Sequence, residues 1–171
     1  MITLRRFGLA TALALTTAAA PSIPVAAATI PVSGTMVFDA DSTCPRPPQG
    51  YDDFIDYTVE VSGDLEGCWY TKIDRARDLG PPSGLHFEVG REVFVGQVRG
   101  GPVGTFSTTY RWASQWDPDV ATGTEVWGHC QHMIVSGSGT DGLQDVTGHV
   151  LRTDIAPDAS IGTYRGFVRQ R

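Results

Sequence analysis

Apolar and polar residues alternate one by one along most of this chain, and glycine- or proline-bearing turns interrupt the alternation about every ten residues. A period of two sends successive side chains to opposite faces of an extended backbone, so such a chain folds as strands with one buried face. Ile55, Tyr57, Val59 and Val61 alternate with Asp56, Thr58 and Glu60, and after a turn over 63–67 residues 68–73 return as the second arm of a hairpin. The same pattern marks strands at 33–38, 85–89, 92–98, 105–112, 124–135, 146–153 and 162–168, with Gly90 and Arg91 as punctuation and a helical turn at 74–79. The 20 Gly and 11 Pro suit short strands joined by tight turns and exclude a helical bundle. The expected fold is therefore all-β. A closed antiparallel barrel of about eight strands is favoured over a sandwich because closure leaves no edge exposed.

The first 28 residues read as a secretory leader. Arg5 and Arg6 supply the positive start, an apolar Ala/Leu-rich stretch follows to Ala20, Pro21 and Pro24 break it, and Ala26-Ala27-Ala28 offers a small-residue cleavage site before Thr29. The apolar run is too short and too proline-interrupted to span ~30 Å of hydrocarbon. The expectation is a secreted, extracellular protein that leaves the membrane once cut near Ala28. Twelve Arg against one Lys suggests GC-rich bacterial coding. Residues 29–50 hold the first strand and a proline-rich linker and 51–171 the remaining strands, with 29–171 taken as one domain large enough for a real core. Losing Arg5 and Arg6 leaves 11 basic against 19 acidic residues, a net charge of −8 that disfavours nucleic acid as a partner.

Three cysteines in an exported chain imply one bridge and one leftover thiol. Cys44 lies in the irregular segment Ser42-Thr43-Cys44-Pro45-Arg46-Pro47-Pro48, which needs pinning, and Cys68 opens a strand, so Cys44–Cys68 is the preferred pair. Cys68–Cys130 is the rival, since both lie on strands that can be neighbours.

The chemistry-bearing residues are few. On one strand Cys130 and His132 share a face while His129 takes the other, so only two ligands converge and no metal is expected. Glu92 and Glu125 sit within apolar strand sequence. Facing inward, either becomes a buried acid or base, and His132 with such a carboxylate is the sharpest catalytic pair the chain offers. Phe94, Phe106, Tyr110, Trp112 and Trp127, together with Cys130 and His132, are candidates to line a cavity, because eight-stranded barrels are either filled or hold one small ligand. Residues 137–142 lack the lysine and the following helix of a phosphate cradle and read as a flexible loop.

Gly90-Arg91-Glu92-Val93-Phe94-Val95-Gly96, Gly104-Thr105-Phe106, Gly128-His129-Cys130-Gln131-His132-Met133-Ile134-Val135, the Gly/Ser-rich stretch to Gly148 and Tyr164-Arg165-Gly166 form one run of related signals. Together they resemble the allene oxide cyclase-like barrel family, which includes plant dirigent proteins and secreted bacterial relatives. The resemblance covers about half of the chain after the leader and implies an eight-stranded antiparallel barrel with a mostly apolar interior, trimeric in the dirigent proteins and the plant cyclase. Cyclase activity does not carry over with the fold.

Three functions remain open. The first is binding of a small hydrophobic ligand, or an interaction scaffold, favoured by an apolar interior without a recognisable catalytic constellation. The second is a cofactor-independent cyclase or isomerase using His132, Glu92 or Glu125. The third is a dirigent-like homo-oligomer. No cofactor is implied by any of them.

Overall fold

The computed structural model describes residues 27–38 and 43–170. The expected leader lies outside them except for Ala27 and Ala28. Nine strands follow one another: β1 (Ala28–Phe38), β2 (Tyr57–Gly63), β3 (Leu65–Asp78), β4 (Leu85–Val98), β5 (Gly104–Asp117), β6 (Thr124–Ile134), β7 (Thr140–Asp141), β8 (Thr147–Ile155) and β9 (Asp158–Gln170). No helix occurs among the described residues.

Eight of these strands form a closed antiparallel meander. Each pairs with the next, β6 passes to β8, and β1 pairs with β9 from Ala28↔Gln170 to Val37↔Ile161. An even number of staves is what lets the first and last strands meet antiparallel and close the ring. The two-residue β7 stands outside it, paired to Gly104 and Thr105 at the start of β5.

Two local expectations change. Residues 74–78 are not a helical turn but the end of β3, paired with β4 beyond a register shift between Ile73 and Arg75. The run Asp74-Arg75-Ala76-Arg77-Asp78 has no apolar stripe to bury as a helix, whereas β4 offers its backbone a full ladder. Gly90 does not end a strand either, since β4 runs unbroken from Leu85 to Val98. A Cβ at Gly90 would stand 2.6 Å from the Tyr110 ring and 2.2 Å from the Lys72 carbonyl, so glycine is there to seat that ring.

The barrel interior divides along its axis. At one end Val32, Val61, Leu65, Trp69, Phe94, Phe106, Val150 and Val168 pack into a continuous apolar core. Each such side chain contributes roughly 1.5–3 kcal/mol by leaving water. The β6–β8 connection seals this end by inserting Leu143 and Val146, which are 1% and 0% exposed. It is an anchored plug and not the loose loop that its glycines suggested. Ser138 Oγ accepts from the Ser107 amide (3.0 Å) and donates to the Val135 carbonyl (2.6 Å), and Leu143 N bonds Thr140 O (2.9 Å).

On the outer wall residues 43–56 form a strap over β3 and β4. Cys44 and Phe54 pack on Tyr70 and Val93, with Tyr51 and Val95 at the margin. Cys44 is disulfide-bonded to Cys68 with Cα atoms 5.9 Å apart, and Tyr70 Oη donates to the Pro45 carbonyl at 2.8 Å. Cys130 is the free, buried cysteine inside the barrel. The rival pairing fails because Cys68 points out of the barrel and Cys130 points in.

Candidate functional site

The end of the barrel opposite the plug is polar and holds a half-open cavity of about 160 Å³. Met36 and Phe38 from β1, Tyr57 and Val59 from β2 and Trp69 from β3 form its apolar arc. Glu88 and Glu92 from β4, Trp112 from β5, Cys130 and His132 from β6 and Arg152 from β8 form its polar arc, and Ala159 completes the ring. Strand register explains the polar arc. Glu88↔Trp112, Trp112↔Cys130 and Cys130↔Arg152 are directly opposed residues, so four inward side chains make one belt across four adjacent strands.

His132 lies one pleat deeper than that belt, beside Glu92. His132 Nδ1 is 2.8 Å from Glu92 Oε2. The same oxygen accepts from Thr108 Oγ1 at 2.6 Å, and Glu92 Oε1 from Thr71 Oγ1 at 3.5 Å. Thr108 must give its proton to Glu92, because its own oxygen accepts from Trp69 Nε1 at 3.3 Å. Every neighbour of Glu92 is thus a donor, which fixes the carboxylate as acceptor and Nδ1 of His132 as a bearer of hydrogen. Burial opposes a charged imidazole here, but the Cys130 thiol and the Glu92 carboxylate outweigh it and hold the pKa of His132 above its ordinary value. Burial pushes the Cys130 thiol up, with His132 acting the other way without cancelling it. The second ring nitrogen, Nε2, is buried and has no hydrogen-bond partner among the described residues.

A second network lies nearer the mouth. His86 Nε2 is 2.9 Å from Glu88 Oε1, Tyr110 Oη donates to Glu88 Oε2 at 3.2 Å, and His86 Nδ1 bonds Asp78. Burial and the charges of Glu88 and Glu92 raise the Tyr110 phenol far above its usual range, only partly offset by its contact with Tyr57. Both tyrosines therefore stay protonated in neutral solution.

Glu125 is inward and buried but does not meet His132. Alternation from Cys130 and His132 would turn Val126 inward and Glu125 outward. A register shift opposite Gln115 and Trp116 reverses the phase, leaving Val126 51% exposed and Glu125 2% exposed. Glu125 then faces Asp154, which is ion-paired with Arg152. Gly128 makes room, since a Cβ there would fall 1.9 Å from Asp154 Oδ2 and 2.3 Å from Glu125 Oε1.

Burial and the neighbouring Asp154 raise the Glu125 pKa to about 7. Below the ordinary glutamate value both folded and unfolded states carry the proton. Between that value and about pH 7 only the folded state keeps it, so stability falls as pH rises across this window. Glu125→Gln, which mimics the protonated acid, should match the parent at pH 4 and exceed it by about 2 kcal/mol at pH 8 in denaturant titrations. Equal stability of the two proteins at both pH values would mean that Glu125 and Asp154 share no proton.

The remaining candidates separate. Trp112, Cys130 and His132 line the cavity, and Tyr110 stands behind its wall, bonded to Glu88. Phe94 and Phe106 belong to the apolar core below, stacked 4.8 Å apart. Trp127 lies beside outward-facing His129, 5.5 Å from it ring to ring, and takes no part in the cavity. No three His, Cys, Asp or Glu side chains among the described residues are arranged to hold a metal ion.

Sequence reasoning missed Glu88, Tyr57, Arg152 and Asp154. Glu88 shares the face of Glu92 four residues on, a signal hidden by dividing β4 at Gly90. Arg152 and Asp154 follow Val150 at intervals of two.

No family model and no curated protein matches this chain. Fold and site alone define its class: a closed eight-stranded antiparallel barrel, plugged at one end and holding at the other a cavity with an apolar and a polar arc.

Proposed function

We propose that this protein is a secreted barrel that binds one small, mostly apolar molecule in the cavity between the plug and the open mouth. The observation that carries this reading is the cavity itself. A filled barrel would bury aromatic side chains throughout, whereas here the aromatic core stops at Trp69 and an apolar arc of Met36, Phe38, Tyr57 and Val59 beyond it is left to contact something else. The outward disulfide fits an oxidising compartment. The meander closed between first and last strands is what similarity to the allene oxide cyclase-like barrel would require.

A second reading, a cofactor-independent cyclase or isomerase, is favoured by one specific feature. The Glu92–His132 pair is preorganised at the cavity wall, with Nε2 of His132 unpartnered, as a general acid or base must be.

Native mass spectrometry of the protein recovered from culture medium after expression with its leader tests the primary reading. The expected result is a chain beginning at Thr29 that carries one small molecule of defined mass. Protein retained in cells, or secreted protein that neither carries nor takes up any apolar molecule, would overturn it. The same spectrum shows whether several copies assemble, as a dirigent-like oligomer would.

A further inference from the structure

The polar arc presents hydrogen-bond donors that the protein itself does not use. Trp112 Nε1 and His132 Nε2 are both buried and both lack a partner among the described residues, and both residues line the cavity. The indole nitrogen is a donor only, and since Nδ1 of His132 already carries hydrogen toward Glu92, its Nε2 donates in the imidazolium form that the ion pair with Glu92 favours. Arg152, next in the same belt, also leaves its Nε unpartnered. A buried N–H without an acceptor has lost its water partner and gained none, so a wall with several of them is complementary to a molecule that brings oxygen.

The placement of the two rings supports a single acceptor site. Trp112 opposes Cys130 and Tyr110 opposes His132, so Trp112 and His132 are diagonal neighbours on the inner face of β5 and β6. Such residues lie ~7–8 Å apart at the backbone, within reach of two ring N–H groups converging on one atom.

Charge decides what kind of oxygen fits. The cations of the wall are already compensated, His132 by Glu92 and Arg152 by Asp154. Glu88 adds negative charge to the same lining. A carboxylate or phosphate would enter a site whose positive charges are spoken for and whose remaining charge repels it. A neutral acceptor meets the donors without that penalty.

We propose that the cavity selects a neutral, mostly apolar molecule bearing a carbonyl or ether oxygen, seated with that oxygen toward Trp112 Nε1 and His132 Nε2 and its hydrocarbon against the β1–β3 arc. This rests on the ligand-binding reading above and specifies the ligand class of that site.

Three probes of matched ring size separate the possibilities: cyclohexanone, methylenecyclohexane (the same shape without the acceptor) and cyclohexanecarboxylate. Binding is followed by ligand-observed NMR on the intact disulfide-bonded protein. The expected order is cyclohexanone first, tighter than the alkene by about tenfold, with the carboxylate weakest. The carbonyl stretch of bound cyclohexanone should move to lower frequency, and Trp112→Phe should bring the ketone-to-alkene affinity ratio close to one, whatever it does to the affinity of either probe alone. Equal binding of ketone and alkene with no carbonyl shift would overturn the donor-wall proposal and leave the cavity reading intact. Preference for the carboxylate would overturn neutrality. Failure of all three to bind would overturn the ligand-binding reading, and the proposal with it.

Discussion

Replacing Glu92 with Gln should lower the unfolding free energy by about 3 kcal/mol near neutral pH and move one pH dependence to lower pH. Glu92 is 2% exposed, and with the Cys130 sulfur its charge helps a buried imidazole keep its proton against the cost of burial. With Glu92 present the folded pKa of His132 lies above the ordinary histidine value. The contribution of the pair is therefore complete below about pH 6.5 and is lost as pH climbs through the raised value. In Glu92→Gln only the Cys130 sulfur still opposes burial, so the His132 pKa falls and the histidine contribution is lost at lower pH than in the parent. Denaturant titrations from pH 5 to 9, with the His132 ring followed by NMR, read both effects. A variant whose His132 titrates as in the parent would show that Glu92 does not hold that proton. Glu125 also lowers stability with rising pH, but below about pH 7, so the two contributions are separable by window.

Loss of the Cys44–Cys68 bridge should have a comparable cost reached by a different route. The crosslink spans a sequence separation of 24, and closing a loop of that size is worth about 3 kcal/mol on the chain-entropy model. The effect should exceed entropy alone, because Cys44 and Phe54 cover the outer faces of Tyr70 and Val93. The double variant Cys44→Ser, Cys68→Ser is expected to unfold at about 4 kcal/mol lower stability and to lose protection from proteolysis within residues 43–56 before the barrel itself opens. Cleavage of strap and barrel in a single step would show instead that the strap is part of the cooperative core. Cys130 remains reduced in either case, since the barrel wall stands between it and Cys68.

The barrel was legible because a period of two and regular turns leave few alternatives, and because closure of an even number of staves satisfies every edge. What escaped was phase. Glu125 became inward only because Val126 is an extra residue in β6 opposite the step from Gln115 to Trp116, and one residue of slip moves every later side chain to the other face. Gly90 looked like punctuation when it is a seat for an aromatic ring, and that hid Glu88, which belongs with Glu92 on one uninterrupted strand. The Glu92–His132 pair was foreseeable as two polar residues in apolar strands. That they meet at 2.8 Å depends on β4, β5 and β6 lying side by side, a tertiary fact that no local pattern carries. Trp127, still in register with Gln115 before the slip, shares the outward phase of His129 and so is no lining residue.

Because β1 and β9 close the ring, Ala28 and Gln170 sit side by side at the plugged end, with the entrance at the far rim. A surface tether, a fluorophore or a fused reporter attached beyond Gln170 therefore hangs from the base of the cup. Immobilised in this orientation, the molecule turns its opening toward whatever diffuses past it.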